Sequence, residues 1–315
     1  MSPGPLPLGV ALGWHQLPFE ELLSLARHAE ALGYAALYVD GDVSQIPSLG
    51  DGDVLDGWTV GTALAARTER IEIASIRLVH HWNAAHLAQA TATFERIAPG
   101  RQRVFMAAGG QPNDQRFGLP FPAAQQRVAW LDETLGAIRR LWRGEEVSLD
   151  GFFVQLDRAR VRPIPDPPPL LEVAARGPRM LELVAAHADC WNVNIPPIPE
   201  RWKAAEEQLA IACDERGRDP AAIKRACWVF ARPLHGLADP TVHQAYRRFN
   251  PWFGELTDPE LDRAILSGGA ERCRARLAEW RQDLSLDLPV IELTGLDHDA
   301  ARQALDALAP GGGSS

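Results

Sequence analysis

Residues 170–193, LLEVAARGPRMLELVAAHADCWNV, decide the fold class of this chain. The apolar run Leu170–Ala174 ends at Arg176-Gly177-Pro178, a helical pattern follows, and a second apolar run opens at Asp189. This order predicts a strand, a glycine turn, a helix and a second strand. Gly177 gives the backbone freedom to turn, and Pro178 is preset for the first position of a helix. The unpaired N–H groups of that first turn favour an anion, so we expect a phosphate-binding turn here.

The same alternation of strand and helix patterns runs along almost the whole chain. The predicted strands are Leu8–Leu12, Ala35–Val39, Ile71–Ile76, Arg103–Ala108, Leu170–Ala174, Cys190–Asn194, Trp228–Ala231 and Pro289–Leu293. The predicted helices are Pro18–Leu32, Trp58–Thr68, Ala84–Ile97, Ala123–Trp142, Pro178–His187, Glu200–Arg216, Ala270–Leu284 and His298–Leu308. Such repeated units favour an α/β fold of the (β/α)8 type, a closed parallel TIM barrel. An open doubly wound sheet is the main alternative, but its fingerprint GxGxxG after the first strand is absent.

We therefore predict a single barrel domain over residues 1–310 and a flexible tail over 311–315. Two insertions are expected in the barrel. A β-hairpin is predicted at about 146–156, where Asp150-Gly151 separates two β-prone runs. The irregular to helical region at about 237–264 is a candidate lid.

Composition excludes several classes of partner. The net charge of −9 is spread along the chain, which argues against nucleic acid or an anionic membrane as the main partner. No charged N-terminal segment precedes a long apolar run, so we expect a cytoplasmic protein.

Four cysteines are scattered without CxxC spacing, which predicts buried free thiols and no metal site. They are Cys190, Cys213, Cys227 and Cys273.

Several further segments resemble the bacterial luciferase-like oxidoreductases, which are barrels that use FMN or the deazaflavin coenzyme F420. The segments that carry the likeness are Trp58-Thr59 with Ala65–Ile71, His86–Thr93, Leu131–Gly144 with Gly151-Phe152-Phe153, and Ala174–Asn192. Within the family the deazaflavin-dependent dehydrogenases and reductases are the most similar group. The resemblance implies a barrel enzyme, a small-molecule substrate and a homodimer.

The resemblance also implies a cofactor site. Val104-Phe105 with Gly109-Gly110 and Asn113 resembles the loop over the flavin-like ring, and Ser75-Ile76 falls near a non-prolyl cis peptide that bulges toward that ring. The cofactor phosphate would lie at Ala175, Arg176, Gly177 and Pro178. Arg176 either pairs with that phosphate or is an ordinary surface arginine.

The chain departs from the family where proton transfer is expected. Its relatives carry an Asp-His pair after the second strand, and Gly41-Asp42 is aligned with that pair here. Their acidic residue in the loop after the fourth strand aligns with Gln111 or Pro112, and we count Gln111 among the cofactor-binding candidates. With only Lys203 and Lys224 in the chain, the lysines of a sugar-phosphate site are missing as well.

Three residues remain as candidates for catalysis. Asp42 follows a strand at the end where barrels place their chemistry, although an Asp beside Gly41 also suits an ordinary turn. His80 and His81 follow the third strand, and one of them could relay a proton. The alternative is that both histidines pack at a helix start for which Asn83 is the N-cap.

Three more residues are predicted to line the substrate pocket, namely Trp14, Trp191 and Asn192. The alternatives are that Trp14 is an ordinary core residue and that Asn192 only satisfies loop backbone. The leading functional hypothesis is an F420-dependent oxidoreductase that reduces a C=C or C=N bond, because the usual His and acid are missing. An FMN-dependent monooxygenase is the second hypothesis, since both cofactors present a phosphate to the same turn. The third is a barrel that binds a flavin without catalysis.

Overall fold

The computed structural model describes residues 7–12, 17–41, 53–110, 112–250 and 256–310. Its strands are β1 (Gly9–Ala11), β2 (Ala36–Val39), β3 (Glu72–Leu78), β4 (Gln102–Ala107), β5 (Val147–Asp150), β6 (Gln155–Ala159), β7 (Leu170–Ala175), β8 (Cys190–Val193), β9 (Lys224–Phe230) and β10 (Leu288–Glu292). Its helices are α1 (Phe19–Leu32), α2 (Gly57–Ala65), α3 (Ala84–Ile97), α4 (Ala124–Trp142), α5 (Pro178–His187), α6 (Pro199–Asp214), α7 (Pro240–Phe249), α8 (Asp258–Ala264), α9 (Ala270–Asp283) and α10 (His298–Ala307).

Eight strands close into a parallel barrel in the order β1, β2, β3, β4, β7, β8, β9 and β10. The last strand pairs with the first, with Val290 opposite Gly9 and Glu292 opposite Ala11. Each strand is followed by a helix on the outside, so the prediction of a (β/α)8 barrel is confirmed. No helix in the described part of the chain is long and apolar enough to cross a membrane.

Most predicted elements are found within one or two residues of their expected ends. β9 is an exception, because it begins at Lys224 and not at Trp228. Its second residue, Arg225, is polar but buried, and its guanidinium pairs with Glu206 of α6 at 2.8 Å. A paired arginine inside a strand breaks the apolar pattern on which the prediction relied.

The end of α2 is the second difference. The helix stops at Ala65, whereas the pattern predicts a helix to Thr68. The Thr68 hydroxyl and the Arg67 N–H both donate to the carbonyl of Leu64, at 2.8 and 3.0 Å. These two bonds turn the chain toward β3 and end the helix.

The predicted hairpin is present and lies outside the barrel. β5 and β6 pair antiparallel, with Leu149 opposite Leu156. The second strand runs to Ala159, three residues past the predicted end at 156. Its tight loop is held by Glu133 of α4, whose carboxylate accepts the N–H groups of Phe152, Phe153 and Val154.

The region predicted as a lid contains α7 and α8, which pack on the barrel through a small apolar cluster of their own. This cluster includes Phe230 at the end of β9, Tyr246 of α7 and Leu261 of α8. Ion pairs also join the region to α6, with Arg263 and Glu200 at 2.8 Å and Arg201 and Glu260 at 2.7 Å. We call α7 and α8 the cap. A moving lid remains a prediction.

Candidate functional site

The carboxyl ends of the barrel strands form a mouth with a partly open floor. Side chains alternate between the barrel interior and the helices, so every second residue of a strand faces inward. Ile76 of β3, Ala174 of β7 and Trp228 of β9 pack on the interior cluster and are only partly buried. These three residues, which we call the mouth floor, are therefore the inward surface that a ligand at the mouth would meet.

Aromatic rings support the mouth floor from below. The Tyr38 ring contacts those of Phe105 and Trp228 edge to face, with centroids 5.9 and 5.8 Å apart. The indole Nε1 of Trp228 is a buried donor without a hydrogen-bond partner in the described part of the chain. Because such edge-to-face contacts fix ring orientation, Trp228 presents a rigid face to the mouth.

A buried polar network lies deeper in the barrel and is centred on Glu172. Its carboxylate accepts hydrogen bonds from the Tyr38 hydroxyl at 2.8 Å, Asn192 Nδ2 at 2.6 Å and Arg103 Nη2 at 2.8 Å. Burial raises the pKa of Tyr38 well above its usual value, so the phenol stays a neutral donor. Every member has its partner, which makes this network a stiff support for the mouth floor.

Trp191 does not line the mouth, contrary to the prediction, and a pocket role for Asn192 stays a prediction. Asn192 faces inward, but it is 3% exposed and its amide is used by Glu172. Trp191 faces outward, packs against Trp202 of α6 and donates to the carbonyl of Ala175 at 2.9 Å. Adjacent residues of a strand face opposite sides, so the two could never have lined one pocket together.

The predicted phosphate turn connects β7 to α5. Pro178 is the first residue of α5, Gly177 is its N-cap, and no side chain caps the helix. Gly177 has φ −119° and ψ 163°, an extended conformation that any residue can adopt, so the expected backbone reason for glycine is wrong. A Cβ placed there would meet nothing within 4 Å. The glycine instead leaves open space at an uncapped helix start, which suits a phosphate.

The flanking residues of the turn have different surroundings. Ala175 is buried, and its carbonyl accepts the indole N–H of Trp191. Arg176 is exposed beside the open turn. The turn therefore offers backbone N–H groups to an anion, and the Arg176 side chain lies beside them.

The loop after β4 is held in shape by Arg127 of α4. Its guanidinium donates to the carbonyls of Ala108 at 3.0 Å and Gly109 at 3.1 Å, and it stacks on Phe121 at 3.9 Å from the ring centroid. Gly109 has φ +78°, which favours glycine, and Gly110 is exposed with open space where a Cβ would be. A flat ring system could lie against this loop.

Four predicted site residues cannot be placed fully. Asp42, Gln111 and Trp14 lie outside the described residues. Asn113 belongs to a short 3-10 turn, Pro112–Phe117, and its side chain is likewise outside the described part. Their roles stay predictions.

His80 and His81 follow β3 in a 3-10 turn, Val79–His81. His80 is buried, and its ring contacts Phe121 and His81 edge to face with centroids 5.2 and 4.4 Å apart. Asn83 caps α3, since its Oδ1 accepts the N–H groups of Ala85 and His86. The helix-start packing offered as the alternative for both histidines is therefore present, and a proton relay at either remains a prediction.

Ser75 and Ile76 differ from the expectation. The peptide bond between them is trans, since the cis bonds of the described chain are Arg162-Pro163 and Asp166-Pro167. Regular pairing explains this, because Ser75 is opposite both Val39 and Val104 in an unbroken sheet. Ser75 faces α2, on the outside of the barrel, and only Ile76 belongs to the mouth floor.

Gly41 explains part of the departure from the family pattern. A Cβ at this position would lie 1.7 Å from the carbonyl oxygen of Ile76. The end of β2 therefore passes directly against β3, and no side chain fits there. The Asp that the resemblance leads us to expect at this position has no room in this chain.

Sequence reasoning missed three residues at the mouth: Trp228, Arg232 and Glu292. Glu292 ends β10 on the inward face and is 3% exposed. Burial raises its pKa to about 7, against the lowering effect of the Thr294 hydroxyl and the Arg232 charge. The signal was an acid inside the apolar run Pro289–Leu293, at the strand end where barrels carry catalytic groups. Within the described ranges, no three His, Cys, Asp or Glu side chains come close enough together to hold a metal ion.

Comparisons with known proteins find relatives that are named for coenzyme F420. An F420-dependent hydroxymycolic acid dehydrogenase of Mycobacterium tuberculosis is 26% identical over 285 residues, covering 89% of this chain and 78% of that protein. An F420-dependent glucose-6-phosphate dehydrogenase of Beutenbergia cavernae is 31% identical over 186 residues. That match covers 58% of this chain and spans about half of the relative, 55% of its length.

Solved structures share the fold. An F420-dependent secondary alcohol dehydrogenase, in complex with an F420-acetone adduct, superposes with a TM-score of 0.83 at 18% identity, covering 96% of this chain and 99% of that one. The monooxygenase RslO1 from Streptomyces bottropensis superposes with a TM-score of 0.79 at 22% identity, covering 96% and 98%. Residues 6–235 match the family model described as luciferase-like monooxygenase. The chain therefore belongs to the luciferase-like monooxygenase family, and the prediction of a luciferase-like oxidoreductase on a TIM barrel is confirmed.

Proposed function

We propose that this protein is a coenzyme F420-dependent oxidoreductase that transfers hydride between the deazaflavin and a small or medium-sized organic substrate. The observation that carries the proposal is the uncapped, open turn at Gly177 beside the partly open mouth floor. The relatives named for F420, one of which aligns over 89% of this chain, favour that cofactor over FMN.

The residues present fit such a cofactor. Gly177 and the start of α5 would hold a phosphate, with Arg176 beside it. The mouth floor and the Gly109-Gly110 loop would hold the ring. When bound, the cofactor supplies the hydride, while the protein orients the substrate and excludes water.

We propose reduction of an activated C=C or C=N bond because the usual proton-transfer pair is missing. Gly41 has no room for a side chain, and Asp42, His80 and His81 are the remaining predicted proton donors. A sugar phosphate is a poor candidate for the substrate. Lys224 begins β9 at the end of the barrel opposite the mouth, which leaves Lys203 of α6 as the one other lysine.

Trp14 is proposed as a wall of the substrate pocket, since it follows β1. A cytoplasmic homodimer is proposed as the working assembly. Light scattering of the purified protein tests the dimer, because a molar mass of a monomer at micromolar concentration would contradict it.

The decisive experiment is anaerobic titration of the purified protein with F420 and, separately, with FMN. We expect saturable F420 binding and reduction of at least one member of a panel of enones, imines and ketones by reduced F420. Tight FMN binding without F420 binding would replace the proposal with the monooxygenase alternative. F420 binding without turnover on any panel member would favour the non-catalytic barrel.

A further inference from the structure

Glu292 lies at the mouth end of β10, a position that none of the predicted residues fills. Its side chain faces the barrel interior, in the alternation that also places Leu288 and Val290 there. Where β10 pairs with β9, Val290 is opposite Trp228 of β9 and Glu292 is opposite Phe230 of β9. Glu292 is therefore one inward step above the mouth floor, toward the opening. Its neighbour on β1 is Ala11.

The cap covers this carboxyl group from above. Asn250, the C-cap residue of α7, is 2% exposed, and its Nδ2 lies 3.5 Å from Glu292 Oε1. Phe249 packs on Gly295 so closely that a Cβ there would be 2.4 Å from the ring. The end of α7 is thus seated on the loop that follows β10, and it shields Glu292 from bulk water.

Neighbouring charges do not neutralise Glu292 by direct pairing. Arg232 follows β9, donates to the carbonyls of Ala231 and Thr294, and stacks on Phe230 at 4.0 Å from the ring centroid. Among the ion pairs of the described chain, none joins Arg232 to Glu292. Burial lowers the pKa of Arg232 to about 10, so it stays charged at neutral pH.

In the described part of the chain, the other groups that face the carboxyl are neutral near pH 7. Tyr246 contributes a phenol from α7, and burial together with the Glu292 charge raises its pKa. Thr294 and Asn250 hydrogen-bond to the carboxyl. A carboxyl group that is shielded and that, among the described residues, has no ion pair and bonds to neutral groups holds its proton to higher pH than a free one.

We propose that Glu292 is the proton-transfer residue of the mouth, and this rests on the proposed F420-dependent reduction. When bound, reduced deazaflavin would supply the hydride, which is two electrons and one hydrogen, to the substrate carbon. The Glu292 O–H bond breaks, and its proton goes to the atom that was doubly bonded to that carbon. The carboxylate that remains takes a proton from water before the next turnover. In the oxidative direction the same carboxylate accepts the proton.

The test compares Glu292→Gln with Glu207→Gln, the same chemical change on the exposed face of α6. Gln keeps the shape of a neutral carboxyl group, so the fold is expected to survive. The probes are F420 for binding and cyclohexenone, cyclohexanone and pyrroline for reduction by the F420-loaded protein. Infrared spectroscopy follows the C=O stretch of protonated carboxyl groups during a pH titration without substrate.

We expect Glu292→Gln to bind F420 as the wild type does and to reduce the probes ~100-fold more slowly, within the usual range for general acids. The wild-type rate should fall above about pH 7, where the acid loses its proton, and the variant should lack that fall. An infrared band that titrates near pH 7 should be present in the wild type and in Glu207→Gln and absent from Glu292→Gln. Glu292→Asp, which restores a carboxylic acid, should recover part of the rate.

Two outcomes would overturn the inference and are distinguishable. If the wild type reduces a probe and Glu292→Gln does so equally fast, Glu292 does not transfer the proton, while the proposed function stands. If the wild type binds no F420 or reduces no probe, the proposed function fails and the role of Glu292 falls with it.

Discussion

At Gly177, one substitution is expected to raise the stability of the protein and to lower its affinity for the cofactor. Its extended backbone accepts any residue, and the space around it is open. Asp is a better N-cap than Gly by a few tenths of a kcal/mol, so we expect Gly177→Asp to stabilise the free protein by roughly that amount. The same carboxylate would occupy the N–H groups and repel a phosphate. We expect the Kd for F420 to rise by about tenfold or more.

Gly177→Asn is the matched control, because it caps the helix without a negative charge. Urea unfolding measures the stability, and fluorescence titration measures F420 binding. We expect both variants to be at least as stable as the wild type, with weaker binding for Asp than for Asn. Equal F420 affinity in all three proteins would mean that the phosphate lies elsewhere.

Gly41 is expected to be intolerant of any side chain. Its Cβ would fall 1.7 Å from the Ile76 carbonyl oxygen, so Gly41→Ala must push two barrel strands apart. Overpacking of this kind costs about 1–3 kcal/mol. Gly177→Ala is the control, since its Cβ would meet nothing within 4 Å. Urea unfolding that shows equal stability for the two variants would contradict the contact.

The site residues that sequence could predict are those that depend on local chemistry. The order Gly177-Pro178 marks the phosphate turn because both residues act on their own backbone. Trp191 was misplaced because the side that a strand residue faces depends on register across the barrel. Glu292 was missed because its surroundings are tertiary, with Asn250 as a contact that lies 42 residues away in the chain.

At the scale of elements, Glu133 is expected to hold the hairpin in place. Its carboxylate accepts three backbone N–H groups of the loop between β5 and β6. Charge-assisted hydrogen bonds of this kind contribute about 1.5–3 kcal/mol each when removed singly, and less where water replaces them. We expect Glu133→Ala to lower the free energy of unfolding by about 1–3 kcal/mol.

Hydrogen exchange locates this effect. The amides of Phe152, Phe153 and Val154 should exchange faster in Glu133→Ala, while barrel amides should not. Glu146→Ala is the control, because Glu146 pairs with Arg158 and Arg160 at the hairpin surface. Exposed pairs contribute at most about 1 kcal/mol. Equal protection of the three amides in both variants would show that the hairpin loop does not depend on Glu133.

The type of each element could be predicted because the apolar residues of each segment recur at one spacing, that of a helix or that of a strand. α3 and α5 have the predicted bounds, since Asn83 caps one and Pro178 begins the other. The start of β9 was not predictable, because Arg225 is buried only by virtue of its pairing with Glu206 of α6. Local pattern identifies an element, whereas tertiary pairing decides how far it extends.

At the scale of the whole molecule, carboxylates link neighbouring units around the barrel. Glu30 of α1 accepts the N–H groups of Glu69, Arg70 and Ile71, which lead into β3. Asp132 of α4 pairs with His187 of α5 at 2.7 Å. Burial would raise the pKa of Glu30, but the backbone hydrogen bonds and the Arg70 charge leave it lowered. The hydrogen bond from His187 lowers the pKa of Asp132.

The directions of these two pKa shifts determine whether acid raises or lowers the stability of the protein. A carboxyl whose pKa is lower in the folded state binds protons more readily when unfolded, so its stabilisation is present above the unfolded pKa and is lost as pH falls through the folded value. The unfolded values are about 4.3 for Glu and about 3.9 for Asp. Both groups are partly exposed, so solvent screening limits the effect to about 1 kcal/mol each.

We therefore expect the double variant Glu30→Gln with Asp132→Asn to be less stable than the wild type at about pH 7, by roughly 1–2 kcal/mol. Near pH 3.5 the difference should shrink, because the wild-type carboxyls are then partly protonated. Glu182→Gln, an exposed position on α5, is the control and should track the wild type at both pH values. Urea unfolding at the two pH values measures this. Glu30 and Asp132 join different pairs of elements, so the effects of the two substitutions should add. If the double variant is less stable than the wild type by the same free energy at both pH values, the two carboxylates do not have the proposed role.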